Sequence, residues 1–248
     1  MYHNSIPKTL GAAAHEDWTK GIVLAEFNKA FADEFKRTHD KLHVLVNNAG
    51  VVLQKRSVTV DGIESTFALD HLGYFLLTHL LLDVLKASAP ARIVNLSSEA
   101  ERAGRIDFDD IQFEKRKYSA FGAYCQAKLA NVMFTYDLAK RLEGTGVTVN
   151  AVHPGPVATN FGSGSTGFFN LAMKIFKKFA LTPEQGARTS IYLASSPEVE
   201  GITGKYWAKK KPIQSKPESY DENVRRRLWD LSERMTGLAS DQAAARAG

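Results

Sequence analysis

Apolar and polar positions alternate along this chain in two distinct periods. From Glu26 to His39, Phe27, Ala30, Phe31 and Phe35 recur at helical spacing with polar residues between them, which predicts an amphipathic helix. Leu42-His43-Val44-Leu45-Val46 is a short apolar run stopped by polar residues and reads as a buried strand. Between about 63 and 87, Phe67, Leu69, Leu72, Phe75, Leu76, Leu80 and Leu85 keep helical spacing and predict one long buried helix. Ala91–Leu96 and Val147–Val152 read as two further buried strands, and 202–207 as the last strand. A charged, irregular surface excursion is expected at 99–118, a helix from Ala123 to Arg141, and a Gly/Ser-rich loop at 162–167. Thr182-Pro183-Glu184 opens a helix that runs to about Ala194, and Tyr220 to Leu238 reads as a terminal helix. Strands alternating with helices predict an α/β fold with a parallel sheet. The expected organisation is an irregular segment 1–25, one domain over 26–238, and a disordered tail 239–248.

Three polar or Gly/Pro interruptions and one helical pair carry candidate chemistry. Asn47-Asn48-Ala49-Gly50 follows the first strand, Ser97-Ser98 the second, and His153-Pro154-Gly155 the third. The carboxyl ends of buried parallel strands are where open sheets place their ligand crevice. Tyr124 and Lys128 lie four apart on a predicted helix, so their side chains share a face. A cation beside a phenol favours the phenolate, which makes Tyr124 a candidate proton donor and acceptor. Tyr-x-x-x-Lys alone is a weak pattern, and the glycine and proline stops alone are turn punctuation.

Taken in order, NNAG, SS, YxxxK and PG resemble the short-chain dehydrogenase/reductase family, over about Leu42 to Leu238. Asp70 to Thr78, Lys128 to Asn131, Gly204 to Trp207 and Arg227 to Asp230 resemble its retinol-dehydrogenase-like branch. The gap from Ser98 to Tyr124 (124 − 98 = 26) fits that branch. The resemblance implies a Rossmann-like doubly wound sheet and hydride transfer between NADP or NAD and an apolar, retinoid- or lipid-like alcohol/carbonyl pair. It implies that Tyr124 moves the hydroxyl proton, that Lys128 lowers the Tyr124 pKa and holds the nicotinamide ribose, and that Ser98 binds the substrate oxygen. Asn48, Ala49 and Gly50 would pass the adenosine half. Pro154, Gly155, Val157 and Thr159 would face the nicotinamide. The family's relay Asn falls here at Asp70. An ionised Asp only accepts hydrogen bonds and would pair with Lys128, so Asp70 is expected to impair turnover without removing it. The resemblance also implies a homodimer or homotetramer.

The family's glycine-rich turn, TGxxxGxG, which holds the cofactor pyrophosphate, is not found ahead of Asn47; Thr9-Leu10-Gly11-Ala12 has one glycine and no preceding strand. A chain truncated or replaced at its amino end, lacking the first strands of the sheet, is expected. The Leu42–Val46 strand would then be an exposed edge, with Gly21-Ile22-Val23-Leu24 as a candidate cover. The alternative functional reading is an inactive short form that acts through protein association.

Composition narrows this little further. The chain has 248 residues with 44% hydrophobic content, enough for one α/β domain. One cysteine, Cys125, allows no internal disulfide and fits a reducing, cytoplasmic setting; a packed thiol is expected there. The net charge of +5 reads as a solvated surface with mild attraction for an anionic cofactor, not as a nucleic-acid footprint. Phe168 to Leu181 is amphipathic, which would suit a membrane-surface helix, but the family resemblance implies a lid over an apolar substrate pocket and favours that reading. The seven histidines lack zinc spacing, and Ser98 lacks the hydrolase elbow.

Overall fold

Four of the apolar runs pair side by side in a parallel sheet, each joined to the next by a helical crossover. A computed structural model describes residues 24–155 and 181–239. The strands are β1 (Val44–Asn47), β2 (Ala91–Leu96), β3 (Val147–Val152), β4 (Tyr206–Ala208) and β5 (Lys211–Ile213), in the spatial order β1-β2-β3-β4-β5. β1 to β4 run parallel, and β5 returns antiparallel to β4. The helices are α1 (Leu24–Thr38), α2 (Ser65–Phe67), α3 (Gly73–Leu80), α4 (Leu82–Ala87), α5 (Ala120–Arg141), α6 (Pro183–Ser195) and α7 (Glu222–Thr236).

Successive strand residues point to opposite faces, and both faces are covered. On one, Leu45, Ile93 and Val149 pack against Phe75, Leu81, Leu85, Phe134, Leu138 and Trp229. On the other, Val94, Val152 and Trp207 meet Leu193 of α6 and Val199. The sheet is therefore doubly wound, as the alternation of elements predicts. The second cover stops short of β1. Val46 stands beside Val94 in register, yet Val46 is 41% exposed and Val44 37%, while Val94 is buried. β1 is the edge of the described sheet. Among the described residues no helix is long and apolar enough to cross a membrane.

The long helix expected over 63–87 is broken. Glu64 caps α2 by accepting hydrogen bonds from the backbone N–H of Thr66 and Phe67. The next five residues, Ala68–Leu72, form a π-helical turn before α3. Such widened turns are inserted where a side chain has a task off the helix register; here the turn contains Asp70. A second break falls at Leu81 (φ −103°, ψ 4°). The excursion at 99–118 is also corrected: Glu101, Ile106, Ile111 and Phe113 are buried. It is pinned by Gln126 of α5, whose amide donates to the Ile111 carbonyl and accepts from the Asp107 N–H. The sequence reading missed β5. The β4–β5 turn places Lys209 and Lys210 at positive φ (49° and 61°), a hairpin geometry usually marked by Asn or Gly. The candidate cover Gly21–Val23, the 162–167 loop, Phe168 to Ala180 and the tail from 240 lie outside the described residues.

Candidate active site

The site is built where β1, β2 and β3 end and α5 begins. Ser119 caps α5, accepting a hydrogen bond from the Gly122 N–H, and the helix carries Tyr124 and Lys128 one turn apart toward the ends of the strands. Ser98 follows β2 and caps a short 3-10 turn, Glu99–Ala103, through its side chain. A side-chain hydrogen bond joins Ser98 to Tyr124. Lys128 is buried, with its ammonium 5.5 Å from the Tyr124 ring centre and 5.4 Å from that of Tyr74. Tyr124, Ser98, Lys128 and Asp70 are thus gathered into one place from positions up to 58 residues apart in sequence (128 − 70).

Asp70 is wholly buried. Its Oδ1 accepts the Val51 N–H at 2.7 Å, and its Oδ2 faces the Lys128 ammonium at 3.3 Å. Among the described residues Oδ2 meets no well-aligned donor, and the Lys128 ammonium compensates it. Burial pushes the Asp70 carboxyl up to about 6, against the pull of Lys128 and the Val51 amide. The expectation that Lys128 lowers the Tyr124 pKa does not describe this arrangement. Burial pushes the Tyr124 phenol well above its ordinary value, the Asp70 charge adds to that, and only Ser98 opposes it. The ammonium is engaged with Asp70 instead.

Asn48, Ala49 and Gly50 are exposed at the end of β1. Tyr74 braces them: its hydroxyl donates to the Ala49 carbonyl at 2.7 Å. A Cβ on Gly50 would stand 3.1 Å from the Lys128 ammonium and 3.4 Å from Oδ2 of Asp70, so the chain runs directly over the ion pair. Pro154 and Gly155 follow β3, with Gly155 at φ +92°. Val157 and Thr159 lie outside the described residues. Cys125 is buried and turned away, its thiol pushed up to about 11 by burial.

Several supporting residues escaped the sequence reading. Asn47 donates its amide to Asn95 at 2.8 Å and to Thr78 at 3.0 Å, and Asn95 donates to Thr135 at 3.0 Å, so a buried amide ladder runs from β1 through β2 to α5. Ser97 donates to the Lys128 carbonyl at 2.7 Å. Asn131 donates to the carbonyls of Asp70 and Leu96. The available signal was amides and hydroxyls inside otherwise apolar runs, since a buried polar side chain must find partners.

The surroundings suit a dinucleotide's nicotinamide half: a buried cation, a half-buried phenol and a hydroxyl converge at the strand ends, with a glycine passing above. Among the described residues no glycine-rich turn offers backbone N–H groups to a pyrophosphate.

A family model described as short chain dehydrogenase matches residues 22–166. Human retinol dehydrogenase 14 is 49% identical over 216 residues, covering 85% of this chain and 63% of the relative. Human retinol dehydrogenase 13 is 47% identical over 215 residues, covering 85% and 65%. The chain therefore spans under two thirds of the length of these curated relatives. A crystal structure of an uncharacterised protein from Mycobacterium paratuberculosis superposes with a TM-score of 0.68 at 32% identity, over 86% of this chain and 72% of that one. NADPH-bound carbonyl reductase from chicken fatty liver shares the fold, with a TM-score of 0.56 at 21% identity, over 84% and 82%.

Proposed function

Because this chain belongs to the short-chain dehydrogenase family, in its retinol-dehydrogenase-like branch, we propose that its site serves NADP(H)- or NAD(H)-dependent interconversion of an alcohol and a carbonyl. The observation that carries the proposal is the meeting of Ser98, Tyr124 and Lys128 at the carboxyl ends of the strands. The cofactor would supply or take the hydride. The protein's share is proton handling and orientation. Tyr124 gives its hydroxyl proton to the oxygen of a bound carbonyl, or takes it from an alcohol. Ser98, already bonded to Tyr124, holds the same oxygen and stabilises charge that develops on it. Lys128 would hold the nicotinamide ribose, and Asn48 to Gly50 would lie along the adenosine half. Asp70 competes for Lys128. The names of the relatives favour an apolar, retinoid-like substrate.

A second reading, association without turnover, is favoured by the exposed Val44 and Val46 at the edge of the described sheet and by the engagement of Lys128 with Asp70. One measurement separates the two. NADPH and NADH are titrated into the 248-residue chain by calorimetry or reduced-nicotinamide fluorescence, followed by a carbonyl-substrate screen. The proposal expects saturable binding and turnover that drops by about 100-fold or more in Tyr124→Phe. A folded chain that ignores millimolar cofactor would end the first reading.

A further inference from the structure

Behind the reacting face lies a chain of hydrogen bonds centred on Asn131. This residue is fully buried on α5, three positions beyond Lys128. Its amide nitrogen donates to the Asp70 carbonyl at 2.8 Å and to the Leu96 carbonyl at 3.1 Å. The first carbonyl belongs to the π-helical turn that presents Asp70. The second ends β2, two residues before Ser98. Asn131 itself shares its helix with Tyr124 and Lys128. One side chain therefore bonds together the three elements that make the site.

The orientation of that side chain is dictated by its partners. Both carbonyls are acceptors, so the amide nitrogen must face them and the amide oxygen must face His71 Nδ1, at 3.1 Å. An amide oxygen only accepts, so Nδ1 carries a proton. His71 is fully buried, ringed by Phe67, Phe75 and Phe134, and burial holds its imidazole down to about 4, hence neutral near pH 7. Nε2 is then bare and faces the Ser232 hydroxyl on α7 at 3.0 Å, whose single proton is shared between Nε2 and the Leu228 carbonyl at 2.8 Å. The His71 donor thus fixes the Asn131 amide with its nitrogen toward the Asp70 turn and the end of β2.

We propose that Asn131 is a positioning residue for this site, locked by His71 and Ser232, so that the Asp70 turn, the end of β2 and the Tyr124–Lys128 helix keep one register. The inference rests on reading this face as an active site, yet its geometry can be tested without cofactor.

The test compares His71→Leu with His71→Asn. Leucine keeps the apolar volume and loses the donor. Asparagine gives up volume and keeps an N–H where Nδ1 stands. A packing role favours leucine; a positioning role favours asparagine. The first readout is the 13C titration of the Asp70 carboxyl in the cofactor-free chain. Once Asn131 is unlocked, the turn withdraws the carboxyl from Lys128 while keeping it buried. The Asp70 acid constant then weakens by about threefold or more in His71→Leu and stays within about twofold of wild type in His71→Asn. Ser232→Ala, a smaller perturbation of the core, shifts it in the same direction by less and decides the matter if His71→Leu does not fold. The second readout is carbonyl reduction, where His71→Leu lowers kcat by about tenfold with KM nearly unchanged. Equal titrations in all variants, or a leucine variant closer to wild type than the asparagine variant, would overturn the proposal. A chain that binds no cofactor would defeat the functional reading and leave the Asp70 titration to decide this one.

Discussion

The ammonium nitrogen of Lys128 lies 3.3 Å from Oδ2 of Asp70, and both side chains are closed off from solvent. Two charges removed from water attract each other, so Asp70 competes with Tyr124 and a ribose for Lys128. Asp70→Asn replaces the charge with an amide that both donates and accepts. In a chain that binds cofactor, this variant is expected to turn over carbonyl substrate severalfold faster than wild type. Steady-state oxidation of NADPH checks it, and an unchanged or lower rate would sink the idea.

Asp70 and His71 are neighbours in sequence that pull stability in opposite directions with pH. Burial raises Asp70 from 3.8 to about 6, so its contribution is full below its unfolded pKa and lost as pH rises through 6. Burial lowers His71 from 6.5 to about 4, so its contribution is full above 6.5 and lost as pH falls through 4. Each is worth on the order of 3 kcal/mol across its window, and in wild type the two largely cancel. Asp70→Asn removes one arm. The stability of this variant relative to wild type is expected to climb from about pH 4 to about pH 6.5. Urea melts across that interval read the difference directly, and a flat difference contradicts the burial of Asp70.

Gly50 has no room for a side chain without moving the ion pair, since an added Cβ would meet the Lys128 ammonium at 3.1 Å. Gly50→Ala is expected to lower stability by about 1 kcal/mol through overpacking, and to weaken cofactor binding by more than that stability loss explains. Thermal melts and fluorescence titration measure the two effects separately.

Val46 offers apolar surface on a strand edge that is 41% exposed. Val46→Lys is expected to suppress concentration-dependent association while leaving the melting temperature within a few degrees, because a charged edge residue opposes strand addition. Sedimentation across a range of loading concentrations reports it. Equal association in both proteins removes β1 as the sticky surface.

Much of the architecture could be read from the apolar periodicity. Ala91–Leu96 and Val147–Val152 match β2 and β3 end to end, because central parallel strands are apolar on both faces. The first strand was placed two residues early. At an edge with one covered face the pattern weakens: Leu45 and Asn47 are buried while Val44 and Val46 are not. The break at Ala68–Leu72 was invisible because its residues keep helical spacing and carry no Gly or Pro to mark a wider turn. At the site, YxxxK and SS pointed to residues that do meet. The direction of the Tyr124 shift could not be foreseen, since it depends on burial and on where Lys128 turns. His71 and Asn131 drew no notice as partners because the bond between them spans 60 residues.

Among the described residues β1 has one sheet neighbour where β2 and β3 each have two. Local opening of a fold begins where the fewest bonds must break. From this edge strand hang Asn48, Ala49 and Gly50, directly above Lys128. Breathing of this margin would uncover the buried charge pair long before the interior melts, so amide exchange at Val44 to Asn47 would time the solvent's visits to Asp70. An edge rung of the sheet would thereby act as the clock of its buried ionic contact.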